Sequence, residues 1–167
     1  MALPDDAALR GAAQTLAESL RRQGFWLVTA ESCTGGWVAK VCTDLAGSSA
    51  WFSHGLVSYS NAAKSSLLGV QLATLRDYGA VSAETAGEMA AGARGGESAR
   101  VSLAVTGIAG PAGGTAARPV GLVWFGWGLP DGSIKTCSRV FTGDRDAVRR
   151  QSVLLALDGL RSHLESA

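Results

Sequence analysis

Short apolar runs alternate with longer amphipathic segments along most of the chain. The runs are rich in β-branched and aromatic residues, which is typical of buried strands. They predict strands at residues 25–28, 55–60, 101–106, 120–127 and 133–141. Apolar residues at helical spacing predict a first helix that begins near Asp5 and ends at Gly24, and further helices over residues 37 to about 46, 62–68, 72–78, 83–94 and 145–165.

The order of these elements predicts one domain, residues 1–167, with a three-layer α/β/α sandwich fold. Alternating strands and helices favour parallel pairing, and Pro130-Asp131-Gly132 indicates a hairpin between the last two strands. We therefore expect a mixed, mostly parallel five-stranded sheet with one antiparallel strand. Ligands of such sheets bind outside the carboxyl ends of the parallel strands, where Ser32, Tyr59 and Thr106 fall.

Composition narrows the class of protein. The chain is 47% hydrophobic and 17% charged, with a net charge of +1, which argues against a nucleic-acid partner bound through its phosphates. Cys33, Cys42 and Cys137 have no CxxC spacing, so neither a zinc site nor a disulfide framework follows. The beginning of the chain is polar and no uncharged stretch could span a membrane, so we expect a cytoplasmic protein without a membrane partner.

The stretch between the first strand and the second helix is the strongest candidate for chemistry. Small hydroxyl residues and two glycines form a tight turn there, and such a turn leaves backbone N–H groups unpaired at a helix start. Ser32 and Cys33 are both candidate nucleophiles. A purely structural role stays open for each of them: Ser32 as a helix cap and Cys33 as a small buried thiol.

Neither histidine is well placed to activate Ser32. His163 lies near the end of the chain, and His54 precedes a strand at the end opposite its polar tip, so a Ser-His-Asp triad is not expected. Lys64 is an alternative base if burial lowers its pKa, and Tyr59 is close enough in sequence to relay a proton. A solvated Lys64 and a packing role for Tyr59 are the simpler alternatives.

A glycine-rich loop at residues 107–115 follows the third strand. It lacks the ending of a P-loop but offers many backbone N–H groups, which suit a phosphate or a ribose; a purely structural crossover is the alternative. Arg145 begins the last helix, where a cation opposes the helix dipole. This indicates an anionic ligand, unless Arg145 forms an ion pair with Asp144 or Asp146.

Several of these segments resemble the CinA C-terminal domain family, in the same order over nearly the whole chain. The resemblance rests on TAESCTGG at residues 29–36, Tyr59-Ser60-Asn61 with Lys64, and residues 68–70, 79–82, 106–111 with Gly113-Gly114, 119–121 and 143–145. It implies a serine amidohydrolase that converts nicotinamide mononucleotide to nicotinate mononucleotide and ammonia in pyridine nucleotide salvage. It implies no cofactor or metal, and its catalytic residues fall on Ser32, Tyr59 and Lys64.

On this basis we expect neutral Lys64, directly or through Tyr59, to take the proton of Ser32 as it attacks the carboxamide. The backbone N–H groups of Thr34, Gly35 and Gly36 would stabilise the oxyanion. The expected substrate-binding residues are Asn61, Thr106, Gly107, Gly110, Gly113, Gly114 and Arg145. The chain departs from the family at Ala112, where relatives often have Asp, and at Arg118, where Lys is common.

Two alternatives remain at the level of sequence. A non-catalytic module that binds pyridine nucleotides or docks onto a partner needs the glycine loop but not Lys64. A thiol hydrolase would use Cys33. A homo-oligomer is also expected, although Trp51, Phe52, Trp124 and Trp127 fit core packing as well as an interface patch.

Overall fold

The structure, a computed structural model, describes residues 3–166 and has six α-helices and five strands in that part of the chain. The helices are α1 (Asp6–Gln23), α2 (Trp37–Thr43), α3 (Asn61–Leu68), α4 (Leu72–Tyr78), α5 (Ala83–Arg94) and α6 (Arg145–Glu165). The strands are β1 (Trp26–Glu31), β2 (Phe52–Val57), β3 (Arg100–Gly107), β4 (Leu122–Gly128) and β5 (Ile134–Val140), and a short 3₁₀ helix (Ser48–Ala50) precedes β2. Within these residues, none of the helices is both long and apolar enough to cross a membrane.

The five strands form one sheet in the order β2-β1-β3-β4-β5. β1 pairs in parallel with both β2 and β3, whereas β4 is antiparallel to β3 and to β5. The predicted mixed, mostly parallel sheet with one antiparallel strand is confirmed. Its consequence is that the carboxyl ends of β1, β2 and β3 meet at one edge of the sheet, which is where a ligand is expected.

Helices cover both faces of the sheet and create two cores. α1, α2 and α6 pack on one face around buried leucines and aromatic residues, and α3, α4 and α5 pack on the other around Met89 and small residues. Trp51 and Trp127 lie in the first core with 0% and 3% of their surface exposed. Core packing is therefore the correct explanation for these two residues, and an interface patch is the wrong one.

Several predicted boundaries are shifted. β1 was expected at residues 25–28 but continues to Glu31, because its polar residues Thr29 and Glu31 are buried as well. β2 begins at Phe52 and ends at Val57, so the polar residues 58–60 belong to the following loop. α2 ends at Thr43, before the expected position near residue 46.

The predicted helix over residues 62–68 makes Asn61 its expected N-cap, and the structure differs. Ser60, and not Asn61, caps the helix, because the Ser60 hydroxyl accepts a hydrogen bond from the Ala63 N–H at 3.0 Å. Asn61 is instead the first residue of the helix and is exposed. The cap fixes where α3 begins, and with it the position of the residues in its first turn.

The turn after β1 fixes the position of Ser32. The Ser32 N–H donates to the Val105 carbonyl at 2.9 Å, so the β1–β3 ladder continues to the carboxyl end of the parallel strands. Gly35 and Gly36 then adopt φ values of 59° and 93°, in the left-handed region that favours glycine. The chain can therefore reverse within four residues of Ser32 and enter α2.

Candidate active site

Ser32 and Lys64 meet at the parallel edge of the sheet. The Lys64 Nζ lies 2.8 Å from the Ser32 Oγ and donates a second hydrogen bond to the Ser58 carbonyl at 2.7 Å. Lys64 is 1% exposed and Ser32 is 8% exposed. Two different crossovers thus bring a hydroxyl and an amine into direct hydrogen-bond contact, although they lie 32 residues apart in sequence. Ser58, whose backbone carbonyl anchors the amine, was not singled out from the sequence.

Lys64 is a buried amine without a carboxylate partner. Between Leu3 and Ser166 it forms no ion pair, and its two bonds go to a neutral hydroxyl and a neutral carbonyl. Burial lowers the pKa of Lys64 below its ordinary value, because the surroundings penalise the charged form. The arrangement shifts the equilibrium toward the neutral amine, which is the form that can accept the Ser32 proton.

Tyr59 is not placed between Lys64 and Ser32. Its side chain is 60% exposed, and its hydroxyl accepts a hydrogen bond from the Arg145 Nη2 at 2.9 Å. Because Lys64 contacts Ser32 directly, proton transfer between them does not require Tyr59 as an intermediate in this structure. Tyr59 follows Ser58, whose carbonyl accepts a hydrogen bond from Lys64, and its own hydroxyl contacts Arg145.

The turn offers fewer free N–H groups than the sequence suggests. The Gly35 N–H donates to the Ser32 carbonyl at 3.0 Å, and the Gly36 N–H donates to the Glu31 carboxylate at 3.1 Å. Among the described residues, the N–H groups of Cys33 and Thr34 have no hydrogen-bond partner in another residue. The expected donor set Thr34, Gly35 and Gly36 therefore narrows to Thr34, with Cys33 as an addition.

Glu31 is a residue whose role the sequence did not reveal. Its carboxylate is 1% exposed and accepts three backbone N–H bonds at the start of α2, from Gly36 (3.1 Å), Val38 (3.0 Å) and Ala39 (2.9 Å). Glu31 therefore caps α2, and the hypothesis that Ser32 caps this helix is wrong. A possible signal was that Gly36, at the N-cap position, has no side chain to cap with.

Arg149 also contacts the turn. Its Nε donates to the Cys33 carbonyl at 3.1 Å and its Nη2 donates to the Thr34 carbonyl at 2.9 Å. In the sequence, Arg149 belongs to a small basic cluster with Arg145 and Arg150. Its spacing from Arg145 was the available signal, because residues four apart lie on the same side of a helix.

Arg145 links α6 to the glycine loop. Its Nη1 donates to the Gly110 carbonyl at 2.8 Å, in addition to the bond with Tyr59. Ion pairing with a neighbouring acid is the wrong explanation for this arginine: Asp144 caps α6 by accepting the Ala147 N–H, and Asp146 pairs with Arg150. The guanidinium is exposed at the rim of the site, where an anionic group can reach it.

The glycine loop is exposed over residues 111–120. In the described part of the chain, the N–H groups of Gly110, Gly113 and Gly114 have no partner within the protein. Gly107 closes β3, and a Cβ there would come within 2.8 Å of the Leu122 carbonyl. Arg118, one of the departures from the family pattern, donates to the Tyr78 carbonyl and so ties the loop to the end of α4.

Two expected ligand contacts are placed less favourably. The Thr106 hydroxyl is 1% exposed and donates to the Ala80 carbonyl at 2.7 Å, so it is already engaged. Asn61 is exposed on the first turn of α3, and its side chain makes no hydrogen bond to the described residues.

The rival nucleophile and the histidines do not fit the chemistry. Cys33 is 6% exposed, and burial raises the pKa of its thiol to about 12, so the thiolate is scarce at neutral pH. The His163 ring packs against Trp127, and the His54 Nδ1 lies 2.9 Å from the Ser53 hydroxyl. Within residues 3–166 no group of three His, Cys, Asp or Glu side chains could hold a metal ion.

The fold and site together define a three-layer α/β protein in which a serine on a strand-to-helix turn meets a buried lysine of α3. Comparison with known proteins gives the family. The family model described as the CinA C-terminal domain matches residues 10–164, and the chain belongs to this family.

Similar proteins carry two kinds of name. A protein of Enterobacter agglomerans named nicotinamide-nucleotide amidohydrolase PncC is 53% identical over 139 residues, covering 83% of this chain and 85% of its own length. The protein of the same name from Escherichia coli (strain K12) is 48% identical and covers 93% and 94%. The solved structure of a competence/damage inducible protein, CihA, from Agrobacterium tumefaciens superposes with a TM-score of 0.89 at 40% identity and covers 99% of both chains.

Proposed function

We propose that this protein is an amidohydrolase that converts nicotinamide mononucleotide to nicotinate mononucleotide and ammonia. The observation that carries the proposal is the 2.8 Å contact between the Ser32 Oγ and a buried Lys64 that has no acidic partner in the described residues. The names of relatives at about half identity supply the substrate class. A module that only binds nucleotides has no use for an uncompensated buried amine, which costs stability.

The reaction begins with proton transfer from Ser32 to Lys64. With the Ser32 O–H turned toward the amine lone pair, the neutral Nζ, 2.8 Å from the Oγ, accepts the hydroxyl proton while the Oγ attacks the carboxamide carbon. The carbonyl π electrons move onto the oxygen, and the N–H groups of Thr34 and Cys33 stabilise that oxyanion. The Lys64 ammonium then protonates the leaving nitrogen, the C–N bond breaks, and ammonia departs.

A water molecule completes the turnover. Lys64, neutral again, takes one proton from the water as its oxygen attacks the acyl-Ser32 carbon. The ester bond breaks, and the Ser32 oxygen recovers its proton from Lys64. Nicotinate mononucleotide leaves, so one water is consumed for each ammonia released.

Arg145 and the glycine loop are proposed to hold the nucleotide portion of the substrate. The guanidinium at the rim and the free N–H groups of Gly110, Gly113 and Gly114 are suited to a 5′-phosphate and a ribose. Support comes from the bond of Arg145 to Tyr59, because Tyr59 follows Ser58, the residue whose carbonyl accepts a hydrogen bond from Lys64. Binding energy from the remote phosphate would orient the carboxamide for attack.

The test is ammonia release from nicotinamide mononucleotide by the purified protein and its Ser32→Ala variant. We expect the wild type to be active and the variant to lose about 10⁴-fold or more in kcat, as when other serine nucleophiles are removed. Ser53→Ala, which removes an exposed hydroxyl from β2, is the matched control and should be fully active. Near wild-type turnover by Ser32→Ala would exclude the proposed nucleophile, and an inactive wild type would favour the binding module.

A further inference from the structure

Arg149 contacts the nucleophile turn without approaching the Ser32 hydroxyl. It projects from α6, is half-buried, and donates to two successive carbonyls, Cys33 at 3.1 Å and Thr34 at 2.9 Å. Its guanidinium also lies 5.0 Å from the centre of the Trp37 ring. A planar guanidinium holds two acceptors in a rigid fork, whereas the donors of a lysine rotate at the end of a flexible stem.

These bonds decide the direction of a particular N–H group. In a trans peptide unit the C=O and N–H point in opposite directions, and the cis peptide bond among the described residues is at Gly110-Pro111, away from the turn. A Cys33 carbonyl that points toward Arg149 therefore leaves the Thr34 N–H pointing away from it. That N–H is one of the two in the turn without a partner.

The layers of the fold show which side the N–H faces. Arg149 approaches with α6, on the face of the sheet that also carries α1 and α2. Lys64 approaches with α3, from the opposite face. A Thr34 N–H directed away from α6 is thus directed toward the side from which Lys64 reaches Ser32. The cation on the carbonyl also polarises the peptide unit, which strengthens its N–H as a donor.

We propose that Arg149 is a positioning residue that holds the Thr34 N–H as the oxyanion donor of the reaction at Ser32. This inference rests on the proposed function, because it needs an oxyanion to form there. It differs from a general structural role: Arg149 is expected to stabilise the anionic tetrahedral state more than the bound substrate or product.

The experiment compares Arg149→Met with Arg150→Met. Arg150 is the matched control, because it lies next along α6 and 5.0 Å from the same Trp37 ring but donates to Asp6 and Asp146 instead of to the turn. We expect Arg149→Met to lose about 10²–10³-fold in kcat, the range found when an oxyanion donor is removed, with KM changed little. Arg150→Met should keep wild-type kcat and KM.

A second readout separates oxyanion stabilisation from simple loss of structure. Pyridine-3-boronic acid forms an anionic tetrahedral adduct with a serine, whereas nicotinate mononucleotide binds without one. Arg149→Met should weaken inhibition by the boronic acid at least tenfold and leave the affinity for nicotinate mononucleotide within about twofold. Equal weakening of both, or wild-type kcat in a folded variant, would overturn the inference.

Two further results keep the inference distinct from the proposed function. If Arg149→Met does not fold, Arg149→Lys replaces it: an ammonium on a flexible stem does not reproduce the rigid planar fork on the two carbonyls, so kcat should fall, and wild-type kcat would overturn the inference. If Ser32→Ala is inactive while the Arg149 variant has normal kcat, the inference fails alone. If Ser32→Ala is active, the proposed function fails and the inference fails with it.

Discussion

Replacing Glu31 by glutamine should weaken the fold much more than an ordinary charge-neutralising change. One carboxylate oxygen of Glu31 accepts the N–H groups of Gly36 and Val38, and the other accepts that of Ala39. Glutamine has a single carbonyl oxygen, so its best orientation keeps the first two bonds and turns an NH₂ group toward the Ala39 N–H. The variant loses one bond outright and leaves that buried donor facing another donor.

The size of the effect follows from these contacts. A hydrogen bond to a charged group contributes roughly 1.5–3 kcal/mol, and the two bonds that remain become weaker neutral ones. Neutralising a buried carboxylate recovers part of this, because its desolvation cost disappears. We expect a net decrease of about 2–4 kcal/mol in the free energy of unfolding, which lowers Tm by about 5–15 °C for a chain of this length.

Urea unfolding monitored by tryptophan fluorescence and by circular dichroism measures this decrease. Glu84→Gln is the matched control, since Glu84 also lies in the first turn of a helix but is exposed, and the change there should cost less than about 0.5 kcal/mol. If Glu31→Gln unfolds within about 0.5 kcal/mol of the wild type, the three N–H bonds do not hold the turn as we describe.

Four further predictions concern Lys64, Cys33 and Arg145. Burial lowers the pKa of Lys64, so kcat/KM should rise with pH through an inflection below 10.4, about the usual pKa of lysine. An inflection at or above that pKa would contradict a buried base. Between the lowered pKa of Lys64 in the folded protein and its value of about 10.4 in the unfolded chain, only the unfolded chain carries the Lys64 proton. The free energy of unfolding of the wild type, relative to that of Lys64→Met, should therefore increase with pH over this range. Urea unfolding at several pH values measures the slope. Cys33→Ala should retain ammonia release, because a thiol of pKa about 12 is not the nucleophile, and loss of kcat in a stable variant would reopen that alternative. Arg145→Ala should raise KM for nicotinamide mononucleotide about 10- to 100-fold but change KM for nicotinamide riboside much less, and equal effects would exclude a phosphate role.

The sequence predicts the architecture well because the strands of this sheet are strongly apolar and separated by clear turn signals. The parallel strands, the hairpin around Pro130-Asp131-Gly132 and all six helices follow from local patterns. The errors lie where tertiary contacts override those patterns. Glu31 is read as part of a polar turn but belongs to β1, because its charge is satisfied by N–H groups of α2.

The sequence predicts which elements form the site, but not the hydrogen bonds between its side chains. The crossovers indicate that Ser32 and Lys64 share an edge of the sheet, yet only the structure shows that they touch and that Tyr59 turns toward Arg145. Arg149 lies 116 residues from Cys33 in the sequence. No local sequence pattern indicates that its side chain donates a hydrogen bond to the Cys33 carbonyl. Backbone groups, which carry much of this site, leave no residue-specific signal in the sequence.

The separation of Glu31 from Lys64 explains how a lysine can remain a base in this site. Both side chains are buried near Ser32, and a direct ion pair between them would stabilise the ammonium and raise the pKa of Lys64. The Glu31 carboxylate instead accepts hydrogen bonds from three N–H groups at the start of α2. The Lys64 amine contacts only a hydroxyl and a carbonyl. Burial is therefore the largest influence on Lys64, no carboxylate pairs with the amine to offset it, and the pKa falls. The same three bonds that stabilise the turn thus keep the amine available to accept a proton, so stability and proposed catalysis depend on one arrangement of the backbone.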